Sequence, residues 1–524
     1  MALNDESRAR SARSSQQRNP RNSLGGSSPD AWWNGPLTRA SRETVMIGTW
    51  IMNRTNFLRF AVLALLPGLG VAAVAVTNSQ LSGPISGGDH GVAFGALPSD
   101  DLTRAGYSEA EYFYSGTATA YGNVGPWGVD GVWPARPTTT ADYKVRMLVV
   151  RPADARRFNG VVVVEWLNVT AMQEGAADFI QMREELFREG YAWVGLGVQA
   201  AGVNTPRTAL KAWDPTRYGS LLHPGDDYAY DIFSQGAQAI RHPRGIDPLG
   251  GLRIRYMLGV GRSQSAAFMI GYLNAVHPLI TRLYDGYLIH SRVGGTYGFP
   301  DNLKGVVPPN PHLRTDIDVP VLDLQMEGDY VALRSHLARQ EDSAHIRLWE
   351  VAGGAHSETP RWVVEVPPAL DHSQNCKDPI NAAPGHAVVK ASLHALLLWV
   401  RENKAPPKSP LLELGDPAAP DPIARDKFGN AKGGIRLPEV EVPTASVNGL
   451  ANSPADPKAT LNFCRLFGTT VPFEKDTLSR LYPTHDSFVK PFDKAVDSIQ
   501  KAGFWLKPEA DEAKKAAADS GIGR

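Results

Sequence analysis

Serine is a weak nucleophile at neutral pH and becomes a useful one only where an imidazole can take its proton. Three places in this chain could share that chemistry. Gly261-Arg262-Ser263-Gln264-Ser265 lies directly between an apolar run and the small-residue stretch Ala266-Ala267-Phe268. In a sharp strand-to-helix turn such a motif projects the serine above the sheet edge, and Gly261 lets the helix approach the strand closely. The usual pattern ends in a second glycine; here Ser265 stands in its place. Val321-Leu322-Asp323-Leu324-Gln325 runs into Met326-Glu327-Gly328-Asp329, which offers an acid, Asp329 first and Glu327 as the alternative. Ile346 to Val351 runs into Ala352-Gly353-Gly354-Ala355-His356, a small-residue loop that ends in a base.

Each piece alone says little. Gly-x-Ser occurs by chance, loop carboxylates cap helices, and thirteen histidines make one after a strand unremarkable. The order says more. Serine, then acid, then histidine is the order in which strands of an open, helix-covered sheet present such a triad. Sixty-six residues separate Ser263 from Asp329, room for one more strand, and 27 separate Asp329 from His356, room for a helix and a strand. In that arrangement His356 takes the serine proton and returns it to the leaving group, while Asp329 fixes the tautomer. The oxyanion needs two aimed donors. One is expected from the backbone N–H of Gln264, the other from Trp166 or Leu167. Asn168, Gln199, His290 and Arg292 fall near strand C-terminal ends, where ligands gather in open α/β sheets. They are candidate pocket residues, with helix caps and loop ties as the plainer reading.

The elements that must position these groups can be read from the hydrophobic pattern. Strands are expected at 110–118, 141–152, 160–166, 191–198, 254–260, 286–290, 319–325 and 346–351. Helices are expected at 179–189, 226–241, from about Ser265, and at 382–401. Val161-Val162-Val163-Val164 is a β-branched run suited to a strand covered on both faces. Asp231 and Gln235 are placed on a polar helix face. Alternating strands and helices imply a mainly parallel sheet wrapped on both sides, and the first two strands, with no helix between them, an antiparallel edge.

Residues 1–45 are polar and rich in Ser, Arg and Asn, a composition that cannot bury enough surface to order itself. Met46 and Met52 are plausible starts. A basic stretch, 53–59, precedes an apolar run to Val76, with Ala73-Val74-Ala75 as a small-x-small cleavage site. That describes a secretory signal peptide; left uncleaved, residues 57–76 are about long enough to anchor in a bilayer. Either way the remainder is expected outside the cytoplasm, periplasmic or secreted. Cys376 and Cys464 fit neither a zinc site nor a redox pair; in an exported chain a long-loop disulfide is natural, with two buried thiols as the alternative. The net charge is zero, with 54 basic and 54 acidic side chains, which argues against a nucleic-acid partner. No metal site, phosphate-binding glycine loop or cofactor is read.

VVVEWLNVT at 162–170, HPGDDYAYDIFSQ at 223–235, GRSQSA at 261–266, DGYLIHSR at 285–292 and GGAHSE at 353–358 resemble an exported bacterial family within the α/β-hydrolase superfamily. The resemblance covers roughly residues 110–400. It implies an α/β-hydrolase fold, a Ser263 nucleophile, a His356 base and an acid at Asp329 or Glu327, and it supplies no substrate. The expected organisation is a disordered leader (1–45), a signal peptide or anchor (46–80), a hydrolase domain (81–404) and a C-terminal extension (405–524). The extension is expected to wrap the core and cover part of the site, tethered by the cysteines, with residues 507–524 fraying. The leading function is hydrolysis of a small-molecule carboxylic ester. An amidase, lactonase or thioesterase would use the same residues; a binding protein or a cofactor-free lyase or peroxidase could share the fold.

Overall fold

A computed structural model of the chain describes residues 73–294, 300–303, 305–358, 376–450, 452–458 and 463–524. The chain divides into two units at Phe60 and Ala61, and the first lies outside the described residues. So do Met46, Met52 and the leader up to residue 72. Residues 74–82, read from sequence mostly as the end of that leader, lie against the body. Val74 N–H donates to Leu279 O at 2.8 Å, Thr281 N–H donates to Val74 O at 2.9 Å, and Val76 is buried.

Ten strands form one sheet: β1 (Gln80–Ser82), β2 (Tyr107–Asn123), β3 (Ala135–Pro152), β4 (Val161–Trp166), β5 (Ala192–Leu196), β6 (Tyr256–Arg262), β7 (Gly286–His290), β8 (Val321–Met326), β9 (Ile346–Ala352) and β10 (Ile435–Arg436). Their order across the sheet is β1-β2-β3-β5-β4-β6-β7-β8-β9-β10. From β5 onward all neighbours run parallel, while β1, β2 and β3 form the antiparallel edge.

Both faces of the parallel part are covered, and β4 shows how. Val162, Val164 and Trp166 face one core, where the Trp166 ring meets Phe233 of helix Ala229–Arg241 and Phe268 of helix Gln264–Gly271 at 4.9 and 5.4 Å. Val161, Val163 and Leu167 face the other, packed with Phe179, Met182 and Leu186 of helix Ala177–Glu189 and Leu396 of helix Gly385–Glu402. The two-residue period of a strand therefore puts Glu165 on the second face. By the same alternation, Leu258 and Val260 of β6 and Leu288 of β7 lie on that face, and Arg262 and His290 follow them.

One expectation is refined and one corrected. Asp231 and Gln235, on the polar face of their helix, are buried there, because β2 and β3 cross over that face. Asp231 accepts from Thr119 N–H at 2.7 Å, and Tyr143 O–H donates to Gln235 Oε1 at 2.9 Å. Residues 507–519 form a helix instead of fraying. Ala510 and Ala517 are buried on one face, so the helix lies close, and its Glu509 accepts from Arg188 and Lys390 at 3.3 and 3.2 Å.

The rest of the C-terminal extension wraps the core as expected. β10 continues the sheet beside β9, and helix His485–Lys501 adds Phe488, Phe492, Val496 and Ile499 to the second core. A disulfide joins Cys376 to Cys464. Among the described residues no helix is long and apolar enough to cross a membrane.

Candidate active site

Ser263 follows β6 directly and precedes helix Gln264–Gly271. Its φ of 60° and ψ of −118° lie where a residue with a side chain is strained, a cost of about 1–3 kcal/mol that persists only when the surroundings enforce it. Here they do. Ser263 N–H donates to His290 O at 2.9 Å, pinning the turn to the end of β7. Gly261 closes it from below: a β-carbon there would sit 2.5 Å from Met269 Sδ and 3.3 Å from Ser265 Cβ. The same closeness shows why Ser265 can stand where a glycine is usual, since its small side chain faces a residue that has none.

The two candidate acids differ in their hydrogen bonds. His356 Nδ1 and Asp329 Oδ1 are 2.6 Å apart and both side chains are buried. The other Asp329 oxygen accepts from Met326 N–H at 2.6 Å, so the carboxylate is held at both ends. With the carboxylate as acceptor, Nδ1 carries the proton and Nε2 is left as the basic nitrogen. Glu327 is engaged elsewhere. It accepts from Gly353 N–H at 2.7 Å and from Gly449 N–H and Arg425 Nη1 at 2.8 Å each, which ties the start of the short helix Glu327–Ala332 to the extension. Burial holds the His356 imidazole below its ordinary pKa; the Asp329 bond and charge oppose this, and Arg262 and then His290 reinforce it.

Leu167 N–H donates to Leu196 O at 3.1 Å, so it is not free to serve an oxyanion. Trp166 closes β4 and sends its indole into the core, where Nε1 donates to Gln199 Oε1 at 3.0 Å. Gln264 opens its helix, where backbone amides lack intrahelical acceptors. Asn168 donates to Arg262 O at 3.0 Å and closes a loop with Gly175, whose N–H it accepts at 2.8 Å. Gln199 is buried and binds Asp226 Oδ2 at 3.3 Å. Arg292 is buried beside Asp323 at 3.4 Å and donates to Ala338 O. These three hold loops. His290, the fourth, is paired through Nδ1 with Asp178 Oδ1 at 2.7 Å, both side chains fully buried.

The alternation of β4, β6 and β7 collects a group that sequence reasoning missed. Glu165 accepts from the N–H groups of Asp178 and Phe179, 2.8 Å each, and from Trp193 Nε1 at 3.0 Å. It thereby caps helix Ala177–Glu189. Burial, and then the Asp178 carboxylate, push Glu165 up to about 8. Arg262 and His290 are register partners across β6 and β7. A glutamate inside a run of valines was the available sign, because a carboxylate in a doubly covered strand must find donors. Among the described residues no His, Cys, Asp and Glu cluster is arranged to hold a metal ion.

The family described as alpha/beta hydrolase domain matches residues 81–515. No curated protein matches the chain. Solved structures similar to it include an α/β serine hydrolase without a lid from Xanthomonas campestris (16% identity, 45% of this chain and 83% of that one, TM-score 0.24). Est1E from Butyrivibrio proteoclasticus is similar at 10% identity, over 49% of this chain and 95% of that one, with a TM-score of 0.29. A fungal esterase from Rhizomucor miehei is similar at 9% identity, over 58% and 89%, with a TM-score of 0.28. With its family match spanning most of the chain and its sheet helix-covered on both faces, this protein belongs to the α/β-hydrolase domain family.

Proposed function

We propose that the protein is a serine hydrolase that cleaves a carboxylic ester through an acyl-enzyme, with Ser263, His356 and Asp329 as its triad. The observation that carries this reading is the Asp329–His356 bond, in a chain whose Arg262, next to a serine held at φ 60° between strand and helix, donates to the His356 carbonyl. His356 Nε2 takes the Ser263 proton as Oγ attacks the acyl carbon, then gives it to the leaving alcohol. Asp329 holds the tautomer and stabilises the imidazolium. Water, deprotonated by the same nitrogen, releases the acid. Gln264 N–H supplies one oxyanion donor, and the second is not the Leu167 amide, which is engaged by Leu196 O. We also propose that the chain is exported, its leader lying within the first eighty residues, a reading that the disulfide supports.

A fluorophosphonate probe followed by peptide mapping tests the chemistry. Labelling at Ser263 that disappears in His356→Ala is expected. A folded protein that takes no label would remove the hydrolytic reading.

A further inference from the structure

Arg262 precedes the proposed nucleophile, yet its side chain does not reach into solvent. It is 6% exposed, and among the described residues no carboxylate is paired with it. Its Nη2 donates to the main-chain carbonyl of His356. With its amide oxygen turned toward the guanidinium, Gln181 accepts from Nη2 at 3.2 Å and from Nη1. Nε has no protein partner. Burying a cation without a counter-charge costs several kcal/mol, and a neutral amide could serve one carbonyl. The charge and its five-donor fork therefore call for a reason.

The contacts supply one. The imidazole of His356 is fixed at Nδ1 by Asp329. Its main chain is fixed by Arg262 on one side, while the next residue, Ser357, donates its N–H to Leu466 O at 2.8 Å. Among the described residues, the Arg262 bond is the one that runs from the serine's own strand to the histidine's loop. Gln181 and Asp178, both on helix Ala177–Glu189, brace Arg262 and its register partner His290. We propose that Arg262 is a positioning residue for His356, tying the histidine loop to the nucleophile strand through a buried, charge-assisted hydrogen bond. This rests on reading Ser263 as nucleophile and His356 as base.

The charge has a second effect that a merely structural residue would lack. A cation beside an imidazole disfavours its protonated form. The groups facing His356 are Asp329 from helix Glu327–Ala332, which favours that form, and Arg262 and His290 from β6 and β7, which oppose it. Asp178 and Glu165 stand behind His290. Arg262 therefore helps keep the base neutral as pH falls, while its geometry sets how well the base reaches Ser263.

The two effects separate in the rate of fluorophosphonate labelling at Ser263, measured across the acid-to-neutral range. Arg262→Gln should move the acid limb up by about half a unit and lower the plateau by about tenfold or more, as the loop shifts. Arg262→Lys keeps the charge and loses the fork, so the limb should stay while the plateau falls. Gln181→Glu gives the guanidinium a counter-charge, and the limb should rise with the plateau nearly intact; it also covers the case in which removing Arg262 unfolds the chain. Unchanged limb and plateau in folded variants of a labelling wild type would overturn this proposal alone. A folded wild type that takes no label would overturn it together with the reading beneath it.

Discussion

His356 Nδ1 and Asp329 Oδ1 are 2.6 Å apart, and the carboxylate two residues earlier, Glu327, bonds instead to Arg425 and the amides of Gly353 and Gly449. The two acids should therefore fail in different ways. Asp329→Asn leaves the fold but offers His356 the wrong tautomer, and ester turnover should drop by about 10⁴-fold with little change in melting temperature. Glu327→Gln removes one of the two carboxylates that hold the half-buried Arg425 guanidinium, Asp421 keeping the other, and should cost about 1–2 kcal/mol of stability while the remaining folded protein still labels. The reverse pattern, in paired melting and labelling assays, would make Glu327 the acid.

Gly328 sits where helix Glu327–Ala332 meets the histidine loop. A β-carbon at this position would lie 2.5 Å from His356 N and 3.1 Å from Ala355 Cα, and both are backbone atoms that cannot rotate away. Gly328→Ala should push the helix and the histidine loop apart and lengthen the Asp329–His356 bond. A displacement of about 1 Å there should reduce kcat by about 10²-fold, with KM changed less. Wild-type kcat in this variant would mean that the helix and the loop adjust freely.

The pH profile follows from the environment of His356. The imidazole must be neutral to accept the serine proton, so activity rises with pH through its pKa. Burial holds that value below the ordinary 6.5, and the acid limb of kcat/KM should accordingly lie below pH 6.5. Asp329 is the group that opposes the shift, so in Asp329→Asn the residual activity should show its limb lower still. A limb at or above the ordinary value, moving up on that substitution, would show that burial does not govern the base.

Much of the sheet could be read from the chain because doubly covered strands write themselves as apolar runs. Val161 to Val164 is such a run, and the order of Ser263, Asp329 and His356 along the chain reflects the order of β6, β8 and β9 across the sheet. What escaped reading depends on contacts between distant segments. Glu327 and Asp329 are two residues apart, and spacing could rank Asp329 first without excluding Glu327; Arg425, 98 residues beyond Glu327, engages the latter. The Leu167 amide looked available until β5 placed the Leu196 carbonyl against it. The Glu165, Asp178, Arg262 and His290 group needed the start of one helix to lie over the ends of three strands. Alternation alone could have set Glu165, Arg262 and His290 on a common face, but not Asp178 or Gln181. Residues 507–519 read as a frayed tail because their charges dominate the composition, whereas two buried alanines decide the packing.

The disulfide reaches the site through one loop. Cys464 is followed by Leu466, whose carbonyl accepts from Ser357 N–H at 2.8 Å, and by Phe467, whose carbonyl accepts from Asn381 N–H at 2.9 Å. His356 therefore sits one residue from a contact that the cross-link helps to hold. The bridge joins positions 88 residues apart, and closing a loop of that length restricts the unfolded chain by roughly 4.6 kcal/mol. Reduction, or Cys464→Ser, should lower the melting temperature by several degrees and slow labelling of Ser263 even below the transition, as the Leu466 contact loosens. The two effects have different origins, one in the unfolded ensemble and one in the native loop. Full labelling with a lowered melting temperature would confine the bridge to stability; an unchanged melting temperature, with both thiols shown to be free, would mean that Phe488, Phe492 and their neighbours hold the extension by packing alone.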